Sequence, residues 1–426
     1  MNKRLLSLSF LLCLLCIASW AQEKLIVVNK GTWQSDNGRL SYFENGSVVS
    51  NQWFRDVNGA KLGDTPCDIV QVRPNVIAIA LNGSNIVQFI DATGHALGES
   101  GEVANVSRLA TDGDYVYATS YAHECSTEKG LKKFTKGFVA KIDAATYKVV
   151  DAMETGYEPE GIAVYDGKLF VANSGGYSFQ ENHDYERTVT VADAATMTTM
   201  RTIDTGQANL YGKIAQSGQY LCINSPGDYY EMAAATIILD CQAALDGKPD
   251  AQCAAKLNYA STYTTTAANG DFYAIGSVFS YITYGYEYNF LTIKPEQAFK
   301  SGGAIGVSST LPGTVAADIK KMSTPNGLYL NPYTSYIYAT DAGNFTESGY
   351  LYQWTPAGTY VNKYKVYIDP SSFLALNPQG EAGIGSALTD QTEDPDAPMY
   401  NLQGIRIYTP APGQIYIQNG KKKIQR

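Results

Sequence analysis

Short apolar runs broken by turn signals dominate the chain. Pro159-Glu-Gly-Ile-Ala-Val-Tyr165 is followed by Asp166-Gly167 and then by Lys168-Leu-Phe-Val-Ala-Asn173. Asp-Gly suits a two-residue hairpin turn, because both central positions need positive φ and Gly takes it at little cost. Residues 188–193 and 200–205 read as third and fourth strands. Asp193-Ala-Ala-Thr196 reverses the chain between them, since an Asp there can bond the backbone two residues on. Four strands joined by short turns predict one meander sheet.

The pattern recurs. Second-strand runs appear at residues 24–29, 76–80, 115–120, 169–173, 220–224, 272–275 and 336–340. Most follow a turn signal such as Asp112-Gly113, Ser217-Gly218 or Asn269-Gly270. The third-strand ending returns as Ile90-Asp-Ala-Thr93, Ile142-Asp-Ala-Ala-Thr146 and Leu239-Asp240. A period of about 40–60 residues is that of propeller blades or repeat arrays. The first unit lacks an inner strand, and Pro370-Ser-Ser-Phe-Leu-Ala-Leu376 has the pattern to supply it. Pairing the two chain ends inside one blade removes an open sheet edge. The expected fold is all-β: a seven-bladed β-propeller closed by its N- and C-terminal strands, with a short C-terminal β-hairpin tail. Helical periodicity is nearly absent, the exceptions being residues 241–245 and 298–302.

Polar insertions fall repeatedly between second and third strands, at residues 121–136, 175–186, 225–232, 277–289 and 341–348. They should therefore gather on one face, with the loops that enter the inner strands. In the first blade, residues 40–43 and 48–53 read as a hairpin. In the sixth, residues 294–317 show no clear fourth strand. Beyond the propeller (22–376), residues 377–398 read as a linker and 399–426 as a tail carrying two short strands.

The N-terminus changes the picture of compartment. Residues 1–21 have a charged start, an apolar run and a Ser-Trp-Ala end, the pattern of a secretory signal cleaved before Gln22. The run is too short to span a bilayer, and no other segment could. Export leaves Cys67, Cys125, Cys222, Cys241 and Cys253, an odd number, so at least one stays free unless it pairs with another chain. Cys241 and Cys253 could be bridged across a turn, whereas Cys222 reads as a small buried hydrophobe. No Cys-x-x-Cys exists to hold structural zinc. A net charge of −9 argues against a nucleic-acid partner.

Candidate chemistry is sparse. His95, His123 and His183 are the only histidines. No His-Glu-x-x-His or Gly-x-Ser-x-Gly accompanies them, and they read as loop residues. Acids near strand entrances are Asp64, Asp68, Glu158 and Glu160. A hard-cation site could draw on Asp68, Glu160, Asn105 and Asn326. The stronger signal is aromatic: Tyr281, Tyr284, Tyr286 and Tyr288 in one run, Tyr229 and Tyr230 in another. Tyr121, Tyr177, Phe179 and Tyr185 join the same loop-rich face. Tyr157, Glu158, Glu160, Gln207, Asn209 and Tyr211 border the inner-strand entrances. Tyrosine offers a flat apolar body with a polar tip, suited to stacking on sugars or a planar ring system. The alternative is that the Tyr281–Tyr288 run simply packs on itself.

The Pro-x-Gly-Ile-Ala-Val, Asp-Gly-Lys-Leu-Phe-Val-Ala-Asn and Asp-Ala-Ala-Thr elements of residues 159–205 resemble the YncE-type propeller repeat, which is close to the quinoprotein-like seven-bladed propellers. Val28-Asn-Lys-Gly-Thr-Trp33, Gly38-Arg-Leu-Ser-Tyr-Phe43 and Asn58-Gly-Ala-Lys-Leu-Gly-Asp64 resemble the opening of the DUF5074-containing propellers of Bacteroidota. That group includes BtuG-type surface proteins, which capture cobalamin for an outer-membrane transporter. Residues 399–423, with Tyr-Asn-Leu-x-Gly and Gly-x-Ile-Tyr-Ile, resemble a type IX secretion sorting tail. The resemblance implies an exported, non-catalytic propeller at the cell surface. It would bind a small-molecule or glycan ligand, cobalamin-like in the most concrete version, beside an outer-membrane transporter. No cofactor or metal is expected. Two alternatives stand beside this reading: a metal-dependent lactonase-like hydrolase or lyase using channel carboxylates, and a protein-interaction scaffold.

Overall fold

The computed structural model describes residues 23–280 and 284–376, with residues 399–400, 406–407, 415–418 and 421–424 of the C-terminal portion. The expected signal segment, the expected linker and Tyr281 lie outside the described residues. The chain divides into two compact units, 1–378 and 379–426.

In the first unit the apolar runs form strands because the second and third strands of a blade are buried on both faces. Ile77, Ile79 and Leu81 enter one hydrophobic layer, while Ala78 and Ala80 enter the next. Leu169 and Val171 divide from Phe170 and Ala172 in the same way, as do Ile26 and Val28 from Leu25 and Val27. Successive side chains of a strand point to opposite faces. A blade sandwiched between two others therefore reads as a continuous apolar run. The described core consists of seven such layers, one between each pair of neighbouring blades.

Seven four-stranded antiparallel sheets make the blades of a β-propeller. Blades 2 to 7 begin with inner strands Pro66–Arg73, Val106–Thr111, Pro159–Tyr165, Tyr211–Ser217, Tyr263–Thr266 and Pro325–Leu330. Blade 1 takes its inner strand from the other end of the propeller. Pro370–Leu376 pairs antiparallel with Lys24–Asn29, Ile26 opposite Leu374 and Val27 opposite Phe373. This is the closure the sequence predicts. Each inner strand lies beside those of both neighbouring blades, completing the ring.

The turns follow the expected side-chain chemistry. Asp193 Oδ1 accepts from the Thr196 amide at 2.8 Å and its hydroxyl at 3.0 Å, and Asp143 Oδ1 accepts from the Ala145 and Thr146 amides.

Several expectations are corrected. Residues 48–53 do not complete a strand: the strand is Ser47–Ser50, and Trp53–Asn58 is helical. Trp53 and Phe54 both enter the layer between blades 1 and 2, which adjacent residues of a strand could not do. The helix expected at 298–302 is Pro295–Ser301, with Pro at its start and Gly302 as a left-handed cap (φ 60°). Val315–Ile319 is a further helix whose Val315 and Ile319 enter the layer between blades 6 and 7. The fourth strand of blade 6 is only Val307–Ser308. Cys241 and Cys253 are not bridged. The five cysteines among the described residues are buried free thiols, and Cys253 Sγ donates to the Lys248 carbonyl at 3.3 Å. In the second unit Met399–Tyr400, Arg406–Ile407, Ile415–Gln418 and Lys421–Ile424 form a four-stranded sheet rather than a two-stranded hairpin.

Candidate functional site

The inner strands do not start as regular strands. Their pairing registers shift at the first residues: between Pro66 and Asp68, Val106 and Leu109, Pro159 and Ile162, Tyr211 and Ala215, and Pro325 and Gly327. Such bulges re-aim side chains. Immediately before the inner strand stands a residue with positive φ: Thr65 (48°), Asn105 (50°), Glu158 (39°) and Asp369 (52°). Its carbonyl accepts the amide that follows the second strand, as in Asn82 to Thr65, Ser174 to Glu158 and Lys30 to Asp369. This bond ties each insertion to the channel entrance, so the insertions and the entrances share a face.

The bulged positions of blades 2 to 5 carry Asp68, Arg108, Glu160 and Lys213, which meet in the channel. Lys213 Nζ lies 2.7 Å from Asp68 Oδ1, although their blades are three apart. Asp68, fully buried, also accepts from the Ile69 amide at 2.9 Å and the Leu109 amide at 3.0 Å. Glu160 Oε1 accepts from the Ser107 hydroxyl at 3.0 Å and from the Tyr121 phenol. Arg108 Nη1 donates to the Cys67 carbonyl at 2.9 Å, and its Nε faces Glu160 Oε2 at 3.4 Å. Burial works against the Arg108 charge, but Glu160 and Asp68 outweigh it and hold its pKa above the usual value. Two further inner-strand residues close the far side: Asn326 accepts from the Tyr263 phenol at 3.0 Å and donates to Asp369 at 2.7 Å.

Tyr211 connects the charges to the aromatic face. Its pKa is pushed up to about 12, first by the Glu160 carboxylate and then by burial, with Tyr229 and Tyr177 adding to the effect. Tyr177 meets Tyr121 edge-on at 5.4 Å, and Tyr185 meets Tyr229 at 6.3 Å. Rings from blades 3, 4 and 5 thus converge at one mouth. Tyr157 stacks on His183 at 3.9 Å and 12°. His183 Nε2 lies 3.3 Å from Glu158 Oε2, which also accepts the Tyr177 amide at 3.1 Å. His183 is therefore drawn inward rather than exposed as the sequence suggests. Asn209 (φ 60°) donates to the Gly227 carbonyl at 3.0 Å.

Most other expected residues do not join this cluster. Tyr230, Tyr284 and Phe179 are exposed, and Tyr288 packs against the layer between blades 6 and 7, whereas Tyr286 comes close enough to Tyr229 to add to the rise that burial and Tyr185 give its pKa. The described residues of the 277–289 insertion continue the blade: Phe272–Ser280 and Gly285–Ile293 pair along their length. Asp64 accepts from Thr65 in its own turn. His95 bonds Thr93. Arg108, Lys213 and Tyr263 escaped the sequence reading. The signal that could have found them is a charged or polar residue near the start of an otherwise apolar inner strand.

The hard-cation reading needs carboxylate oxygens open to a metal. Around Asp68 and Glu160 those positions are taken by an ammonium, a guanidinium, backbone amides and hydroxyls. Among the described residues no group of three or more His, Cys, Asp or Glu is placed to hold a metal, and no helix is long and apolar enough to cross a membrane.

The fold and site together define a seven-bladed β-propeller, its channel filled by paired charges under an aromatic mouth. Among solved structures, the chain is similar to hydrazine synthase of Kuenenia stuttgartiensis, with 15% identity and a TM-score of 0.53 over 72% of this chain and 88% of that one. It is also similar to a quinoprotein alcohol dehydrogenase-like protein of Bacteroides thetaiotaomicron, with 10% identity and a TM-score of 0.52 over 83% and 78%. At such identities the likeness concerns the fold, which hosts many functions. No family model matches the sequence, and no curated protein matches it.

Proposed function

We propose that the chain is an exported, non-catalytic propeller that captures a ring-bearing ligand on the aromatic mouth formed by blades 3 to 5. The observation that carries this reading is the convergence of Tyr121, Tyr177, Tyr185, Tyr211 and Tyr229 above carboxylates already paired with cations. Aromatic faces bind rings by stacking and edge contacts, while charges that are paired are poorly placed for proton transfer or metal binding. The most specific version is capture of a cobalamin-like nutrient beside an outer-membrane transporter, which the BtuG-type resemblance supports. The resemblance of the tail to a sorting signal supports delivery to the cell surface.

The test is isothermal titration of cyanocobalamin into the mature chain, with and without EDTA. Saturable, EDTA-insensitive binding is expected, weakened about fivefold by Tyr177→Ala or Tyr229→Ala, since losing an aromatic contact costs about 1 kcal/mol. Absence of heat sinks the cobalamin version and turns the search to glycans and other ring-bearing metabolites. Binding abolished by EDTA returns the hydrolase alternative.

A further inference from the structure

Beneath the mouth, donors and acceptors do not balance. Asp68 accepts three hydrogen bonds, two of them from backbone amides. Glu160 Oε1 accepts two, from Ser107 and Tyr121. The cations are less well supplied. An ammonium has three donors and a guanidinium five. Among the described residues, Lys213 Nζ has one acceptor, Asp68 Oδ1, and the Arg108 guanidinium has one hydrogen bond, to the Cys67 carbonyl. Arg108 Nε and Glu160 Oε2 are both buried and face each other at 3.4 Å without forming a hydrogen bond. Tyr211 is about half exposed, at 49%, and its phenol stays protonated near neutrality, so it too can donate.

We propose that the channel beneath the aromatic mouth is an oxyanion subsite, in which Lys213, Arg108 and the Tyr211 hydroxyl hold a carboxylate or phosphate on the captured ligand. The inference rests on the ring-capture reading and narrows its ligand class to a ring bearing an acidic arm. Asp68 and Glu160 act as positioning residues. Backbone amides hold Asp68 and hydroxyls hold Glu160 Oε1, so Lys213 and Arg108 can turn spare donors to an incoming anion while keeping their ion pairs to Asp68 and Glu160. Hydrogen bonds between charged partners are about twice as strong as neutral ones. A guanidinium also presents paired donors matched to a carboxylate or phosphate edge. The ring would remain above, against Tyr177 and Tyr229.

The experiment compares three probes that share one ring: phenyl phosphate, benzoate and neutral benzyl alcohol. Each is titrated calorimetrically into the full mature chain, wild type and variants. The acids should bind at least about tenfold more tightly than the alcohol, the gain expected of one charge-assisted contact. The stronger acid identifies whether phosphate or carboxylate fits the subsite. Lys213→Met should erase the advantage of the acids over the alcohol. Arg108→Gln should do the same. If it fails to fold, Lys213→Met carries the test, because that side chain is about half exposed. Equal binding of acid and alcohol, no binding of either acid, or an acid advantage that survives Lys213→Met overturns the subsite. The ring-capture reading falls separately, if Tyr177→Ala and Tyr229→Ala leave binding of the alcohol and of cyanocobalamin unchanged.

Discussion

Lys213 reaches from the inner strand of blade 5 to the buried Asp68 of blade 2, closing a 2.7 Å ion pair across the channel. The two ends of this pair are held very differently. Asp68 is wholly buried and fixed by two backbone amides, whereas Lys213 is about half exposed.

Asp68→Ala should therefore cost at least about 1–3 kcal/mol, the penalty of leaving a buried donor unsatisfied. It leaves the Ile69 and Leu109 amides and the Lys213 charge without their acceptor. Lys213→Met should cost no more than about 1 kcal/mol, because Asp68 keeps its amides and the lysine was already half solvated. Denaturant unfolding of the two variants measures the difference. Equal losses would show that the amides do not hold the carboxylate.

Gly161 and Gly327 give the Pro-x-Gly start of an inner strand a packing reason. A Cβ at Gly161 would lie 2.5 Å from Ile214 Cγ1 and 2.8 Å from the Gly212 carbonyl of the next blade. At Gly327 it would meet Phe373 at 2.8 Å and the Ser371 carbonyl at 2.9 Å. Gly161→Ala should then destabilise by about 1–3 kcal/mol, as overpacking does. A thermal melt of this variant, with Gly327→Ala beside it, checks the claim. An unchanged melting temperature would mean that the inner strands can spread.

The scaffold was legible because its chemistry is local and repeated. Asp166-Gly167, the Asp193 turn and the two-sided apolar strands each state their conformation within a few residues. Closure by Pro370–Leu376 was readable because a propeller that starts at a second strand must borrow an inner one. Helices Trp53–Asn58 and Val315–Ile319 were not legible, since one or two turns give too few positions to show a 3.6-residue period. The aromatic mouth was visible in part: Tyr121, Tyr177, Tyr185, Tyr211 and Tyr229 sit in loops or at strand entrances and announce themselves by type. The charge cluster beneath was not. Asp68 and Lys213 stand 145 residues apart, and nothing local to either residue announces the other. His183 likewise looks like any loop histidine until Glu158 and Tyr157 are beside it.

The hairpin Glu124–Thr127 and Gly130–Lys133 in the blade 3 insertion hangs on Asp151. Lys132 and Lys129 both reach that carboxylate, Lys129 at 3.0 Å. Burial alone would raise the pKa of Asp151, but the Lys132 and Lys129 hydrogen bonds dominate and lower it to about 2. A carboxylate with a depressed folded pKa contributes stability above its unfolded pKa and loses it as pH falls through the folded value. Asp151→Asn should thus weaken the protein near neutrality by about 0.5–1 kcal/mol, since the lysines are solvent-facing and screened. The variant and wild type should converge between about pH 4 and pH 2. Parallel acid titrations of stability read this directly, and a gap that persists at the acid end would assign the effect to something other than ionisation.

Closure of the ring makes the sharpest demand on folding. Lys24–Asn29 is a central strand of blade 1 only while Pro370–Leu376 lies beside it. Without that partner its backbone amides and carbonyls form an open edge. Phe373 and Ala375 would also vanish from the layer between blades 7 and 1. A chain ending at Asp369 should therefore lose far more than one strand's hydrogen bonds: the exposed edge invites intermolecular pairing, and the emptied layer leaves Leu25, Val27 and Leu351 partly uncovered. A chain ending at Pro378 retains the whole pairing and should melt like the full chain. Size-exclusion chromatography and thermal unfolding of the two truncations decide the matter. The shorter should aggregate or unfold at markedly lower temperature, and a monomeric, equally stable shorter chain would mean that the propeller stays shut without its borrowed strand.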